Sequence, residues 1–76
     1  MIAAQLRAAR AMLSWSQSEL AERADLSVET IKRLESMPGA LDATKVSTLN
    51  AITSAFAEAG VEFTDGDAPG VRLRSN

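Results

Sequence analysis

Apolar residues recur at Ile2, Leu6, Ala9 and Leu13, spacings of four, three and four that share one face of a helix, with Arg7 and Arg10 flanking it. Ser14-Trp15-Ser16 interrupts the pattern. Ser16 is a favourable N-cap, and Glu19 three residues later completes a Ser-x-x-Glu capping box, with Trp15 and Leu20 placed as a hydrophobic staple. Leu20, Ala21 and Ala24 supply the inward face of a second helix, from about Gln17 to Ala24. Asp25-Leu26-Ser27 is long enough only for a tight turn. Ser27 caps a third helix, stapled by Leu26 and Ile31, in which Ile31 and Leu34 face inward while Glu29, Thr30, Lys32 and Arg33 stay polar. That helix should stop near Ser36, because Pro38 disfavours helical geometry at Met37 and Gly39 follows.

Met37 to Thr44 reads as a loop. Val46, Leu49, Ile52 and Phe56 form the stripe of a fourth helix, with Asp42 or Thr44 as candidate caps and Gly60 as the left-handed residue that closes it. Past Gly60 the period changes to two. Val61-Glu62-Phe63-Thr64 and Val71-Arg72-Leu73-Arg74 alternate apolar and polar around Asp65-Gly66-Asp67-Ala68-Pro69-Gly70, the signature of a hairpin with a long loop. The expected fold is therefore mainly α: four helices over residues 1–60, then a C-terminal β-hairpin over 61–76.

Composition narrows the chemistry. At 76 residues the chain makes one small domain, and its three aromatic residues, Trp15, Phe56 and Phe63, leave Leu, Ile and Val to build most of the core. Many apolar residues are alanines, which suits closely approaching helices with a thin core that a partner subunit could extend. With no cysteine and no histidine, disulfides, thiolate metal sites and the usual general base are all missing. The carboxylates are scattered, no Gly-rich phosphate loop precedes a helix, and Asp65-Gly66-Asp67 is too short for a calcium loop. An enzyme is not expected, nor is a cofactor. No apolar run approaches a membrane span and no leader-like segment opens the chain, so a cytoplasmic location is expected.

The net charge of −2 runs against a nucleic-acid partner at first sight. Its distribution alters that. Arg7, Arg10, Arg23, Lys32 and Arg33 balance Glu19, Glu22, Asp25, Glu29 and Glu35, so the whole deficit lies beyond residue 36. Any DNA-facing surface must be local, and weak non-specific attraction puts a premium on dimerisation.

Two short helices joined by a three-residue turn have helix-turn-helix geometry, in which the first helix braces the second across a phosphate backbone. The stretch Gln5-Leu6-Arg7-Ala8-Ala9-Arg10, then Ser16-Gln17-Ser18-Glu19-Leu20-Ala21, then Leu26 to Glu35 resembles the XRE family of phage repressor and Cro type. The spaced set Leu6, Arg10, Gln17, Leu20-Ala21, Ile31 and Glu35 carries the likeness, and the fourth helix fits the continuation. Asp25 stands where the family usually has Gly; Ser36-Met37-Pro38 stands where a Gly often follows the third helix. The hairpin stands where a fifth helix is common.

The resemblance implies roles. Gln17 would hydrogen-bond a DNA phosphate, helped by the helix N-terminus. Ser27, Val28, Glu29 and Arg33 would face base edges or the adjacent backbone, and Arg10 with Glu35 would form an internal salt bridge between the first and third helices. Lys32, on the same helix, is a further candidate for DNA contact. Plainer readings stand beside these. Lys32 and Arg33 are also what a solvated helix face carries. Glu29 either accepts from cytosine N4 or merely suits a helix N-terminus. Val28 is either core or a thymine-methyl contact, and Trp15 reads as a staple, not a base-stacking platform.

The expected function is a sequence-specific transcriptional regulator, a repressor before an activator. It would bind double-stranded DNA as a homodimer, with recognition helices ~34–36 Å apart on a near-palindromic operator. The alternative is an antitoxin or phage-type module that uses this fold to bind a second protein. For the dimer, the apolar hairpin face of Val61, Phe63, Val71 and Leu73 either pairs across a two-fold axis or folds back onto helices one and four.

Overall fold

The computed structural model describes residues 3–37, 44–64 and 69–74. Ile2, Pro38, Gly39, Asp42 and the Asp65–Ala68 part of the hairpin loop lie outside the described residues. Four helices and a hairpin follow in chain order: α1 (Ala3–Leu13), α2 (Gln17–Ala24), α3 (Val28–Glu35), α4 (Val46–Glu58), β1 (Val61–Thr64) and β2 (Gly70–Leu73). Among the described residues no helix is long and apolar enough to cross a membrane.

Local chemistry sets the helix ends. The Ser16 hydroxyl accepts from the Glu19 amide at 3.0 Å, and the Ser27 hydroxyl accepts from the Thr30 amide at 3.2 Å. The capping box at α2 is only half made: the Glu19 carboxylate turns to Arg23 one helical turn on, at 2.8 Å, because a free cation on the same exposed face outcompetes a backbone amide. Both α1 and α2 close by the same device. Trp15 and Leu26 amides reach back to the carbonyls of Arg10 and Ala21, while Ser14 and Asp25 take left-handed backbone with φ of 56° and 57°. Neither position has the glycine that usually serves there, and short polar side chains tolerate the geometry better than most.

The fourth helix departs from expectation at its start. Lys45 occupies the N-cap position with no side-chain hydrogen bond, and Thr44 does not cap. Val46 is 72% exposed, not inward. At about 100° per residue, Leu49 and Phe56 lie within about 60° of Ile52, whereas Val46 lies about 120° away. Gly60, at φ +90°, turns the chain out of α4 into β1.

The core is one cluster drawn from every helix and the hairpin, with Leu6, Leu20, Ile31, Leu34, Ile52, Phe56 and Val61 fully enclosed. Trp15 stacks on Phe56 with ring centroids 5.3 Å apart, and Phe63 meets Phe56 at 5.5 Å. The Arg23 guanidinium lies 4.6 Å from the Trp15 ring centroid, which puts the indole to structural use.

The hairpin strands are antiparallel with Val61 opposite Leu73 and Phe63 opposite Val71, one residue offset from the sequence-based range of β2. Val61, Phe63 and Val71 pack on the helices of their own chain, β1 against α4 and β2 against α1, so the fold-back arrangement is the one observed. Only Leu73 of the four stays largely open, at 54% exposure. A buried Gln5 on α1 clamps the mouth of the hairpin, donating from Nε2 to the Thr64 and Gly70 carbonyls at 2.9 and 3.0 Å. Arg74 ties the far end down, its guanidinium donating to the Ala57 carbonyl at the C-terminus of α4, 2.9 Å away.

Candidate nucleic-acid interface

α3 is an eight-residue helix held from behind. Ile31 and Leu34 anchor it in the core and Glu35 is buried on its flank, while Ser27, Glu29, Lys32 and Arg33 are exposed and Val28 is half-buried. Taking about 100° per residue from Val28, Lys32 falls near 40°, Glu29 near 100° and Arg33 near 140°. The face they make is contiguous and opposite the anchor. Val28 packs against the core cluster, so its methyls sit at the rim of that face. The Ser27 hydroxyl is engaged in capping and contacts the Thr30 hydroxyl at 2.9 Å.

The flank of α3 nearer α2 carries the polar network. Arg10 grips Glu35 with two hydrogen bonds, Nε to Oε2 and Nη2 to Oε1, both 2.7 Å, with side chains 19% and 5% exposed. The resemblance to the XRE family implied this pair, and the geometry is the bidentate fork that favours arginine over lysine. Hydrogen bonding to Glu35 holds the Arg10 guanidinium above its ordinary pKa, against the opposing effect of burial. Arg10 Nη1 also donates to the Trp15 carbonyl at 3.0 Å, and Arg7 Nη1 donates to the Glu35 carbonyl at 2.6 Å. Gln17, at the first turn of α2, is half-buried and donates from Nε2 to Glu35 Oε1 at 3.2 Å. Gln17 therefore stands beside α3 through a direct contact that its local sequence does not announce.

The opposite flank faces the start of α4. Thr30, Arg33, Lys45 and Thr48 line a groove there, floored by Leu26 and Met37. Lys45 was no candidate from sequence: its place beside Arg33 depends on how α4 returns. Among the described residues no ion pair engages Lys32, Arg33 or Lys45, whereas Glu19, Glu35 and Glu62 are each paired with arginine. Near α3, pairing with arginine thus neutralises Glu19 and Glu35, while Lys32, Arg33 and Lys45 carry no ion pair among the described residues. Among the described residues no cluster of side chains could hold a metal ion.

Among curated proteins, none matches the chain. A family model described as helix-turn-helix matches residues 6–56, which runs from within α1 through most of α4 and includes the whole of the α2–α3 unit. With its four helices in this order and α3 presented on the outside, the chain belongs to the XRE-type helix-turn-helix family of DNA-binding transcription regulators.

Proposed function

We propose that the protein is a sequence-specific repressor that lays α3 in the major groove of a near-palindromic operator and binds as a homodimer. The observation that carries this reading is the presentation of α3: its inner side is locked by Ile31, Leu34 and Glu35, and its outer side offers Glu29, Lys32 and Arg33 with no ion-pair partner among the described residues. A rigid, capped helix with free polar side chains meets what base readout needs. With α3 in the groove, Gln17 on one flank and Lys45 on the other would be the groups to meet the bordering phosphate backbones. A lone short helix with little net positive charge behind it reads few base pairs, so two copies on one duplex suit it. Occluding a promoter needs nothing beyond such a dimer. The exposed Leu73 and the strand edges are what the hairpin leaves for a second copy.

Three substitutions test the interface. Arg33→Ala should weaken binding to the specific operator by ~1–3 kcal/mol and relax preference at one base pair, as expected of a guanine O6/N7 contact. Equal losses on specific and random duplexes would assign Arg33 to phosphate instead. Gln17→Ala should weaken binding to every sequence by a similar factor and leave the salt dependence nearly unchanged, because an uncharged phosphate ligand positions without releasing a counterion. Loss of a phosphate-bound Lys32, by contrast, should reduce the salt slope by ~0.9. Titrations at several salt concentrations on operator variants read all three, and unequal Gln17→Ala losses across variants would contradict the positioning role.

A further inference from the structure

We propose that Glu35, buried and acidic on the recognition helix, is the positioning residue for the DNA-backbone contact, holding the Gln17 amide in its phosphate-binding pose; this rests on the phosphate-contact reading of Gln17. A carboxylate can only accept, so the 3.2 Å bond to Glu35 Oε1 fixes which end of the Gln17 amide faces inward: Nε2 does. That nitrogen carries a second N–H, left to donate outward to a phosphate oxygen. The Thr30 hydroxyl of the same helix is engaged by Ser27, and Val28 has no polar side-chain atom to offer.

A carboxylate this close to a phosphate would ordinarily repel it. Here Arg10 cancels the charge with two 2.7 Å bonds, one to each oxygen. The same arginine holds the Trp15 carbonyl two residues before Gln17, and Arg7 holds the Glu35 carbonyl. The amide and its anchor are therefore fixed to one scaffold built from α1, α2 and α3, so little side-chain freedom is left to lose when DNA arrives. An unanchored glutamine at the same place would lose several rotamers on binding, and its amide would present either end.

The test separates this role from the structural one. Gln17→Ala is made in the native chain and in the paired variant Arg10→Met with Glu35→Leu, which removes the anchor without leaving a buried charge. Against a fixed duplex, Gln17→Ala should weaken binding by about tenfold in the native chain, the scale of one hydrogen bond to a charged group, and less than about twofold in the paired variant. An equal loss in both backgrounds would overturn the positioning role while preserving the phosphate contact. No loss in the native chain would remove the contact itself and the proposal with it. Should the paired variant not fold, the unmodified protein decides the matter. The Gln17 side-chain N–H order parameter should match the rigid backbone of α2, and a value below about 0.6, the flexible range, would overturn the proposal.

Discussion

Glu35→Gln should lower the unfolding free energy by about 3–5 kcal/mol, a large part of what a domain of this size possesses. The glutamine leaves the Arg10 guanidinium, only 19% exposed, without its counter-charge, and it supplies one acceptor where the bidentate fork needs two. Arg10→Met should cost a comparable amount by stranding the carboxylate, which is 5% exposed. At ~4–8 °C per kcal/mol for a domain this small, either variant should melt at least ~12 °C below the parent. Combining Arg10→Met with Glu35→Leu should recover most of the loss, since apolar replacement of a buried pair is often neutral. The raised Arg10 value fixes the pH behaviour of the arginine side. Its folded pKa exceeds its unfolded one, so its stabilisation is complete below the unfolded value and fades only as pH rises through the folded value, at the alkaline extreme. Melts of the single variants within ~1 kcal/mol of the parent would place the pair among ordinary surface ion pairs.

Phe56→Ala should be as damaging, about 3–5 kcal/mol. Its ring is completely enclosed and bridges Trp15 at 5.3 Å and Phe63 at 5.5 Å, so one truncation unseats both the start of α2 and the hairpin. Trp15 is the only tryptophan, so its fluorescence reports the loss of stacking directly, alongside the melt. A shift of under ~1 kcal/mol with unchanged emission would mean that the core does not rest on this ring. Conservative Phe56→Leu should fall well short of the alanine effect, because it keeps much of the buried volume.

What was legible in the sequence was mostly local. Ser16 and Ser27 announce helix starts because a cap acts on an amide three residues away, and they do cap. Asp25 stands in the left-handed position the turn requires. The inward faces of α1, α2 and α3 follow from their periods, and the alternation past Gly60 yields the two strands. Contacts between distant residues were not legible from pattern. Gln5 looks like an ordinary polar residue until the hairpin carbonyls arrive beside it. Ser14 gives no sign of its left-handed backbone, and Val46 matches a helical stripe by spacing alone while lying past its edge. Arg10 and Glu35, 25 residues apart, were paired only through the family resemblance. The candidate site divides the same way: the exposed face of α3 follows from its period, but the Gln17–Glu35 bond and the groove that Arg33 and Lys45 both line depend on how other elements pack.

If α3 is a recognition helix, its outer face reads base sequence. Repeated selection of the intact protein against a pool of random duplexes, followed by titration of the recovered and the unselected DNA at one salt concentration, tests it most directly. The expected result is a defined, two-fold-related site bound at least ~10³ times more tightly than random DNA, with one base-pair preference lost on Arg33→Ala. Recovery of no common sequence, with equal affinity for selected and unselected duplexes, would contradict it.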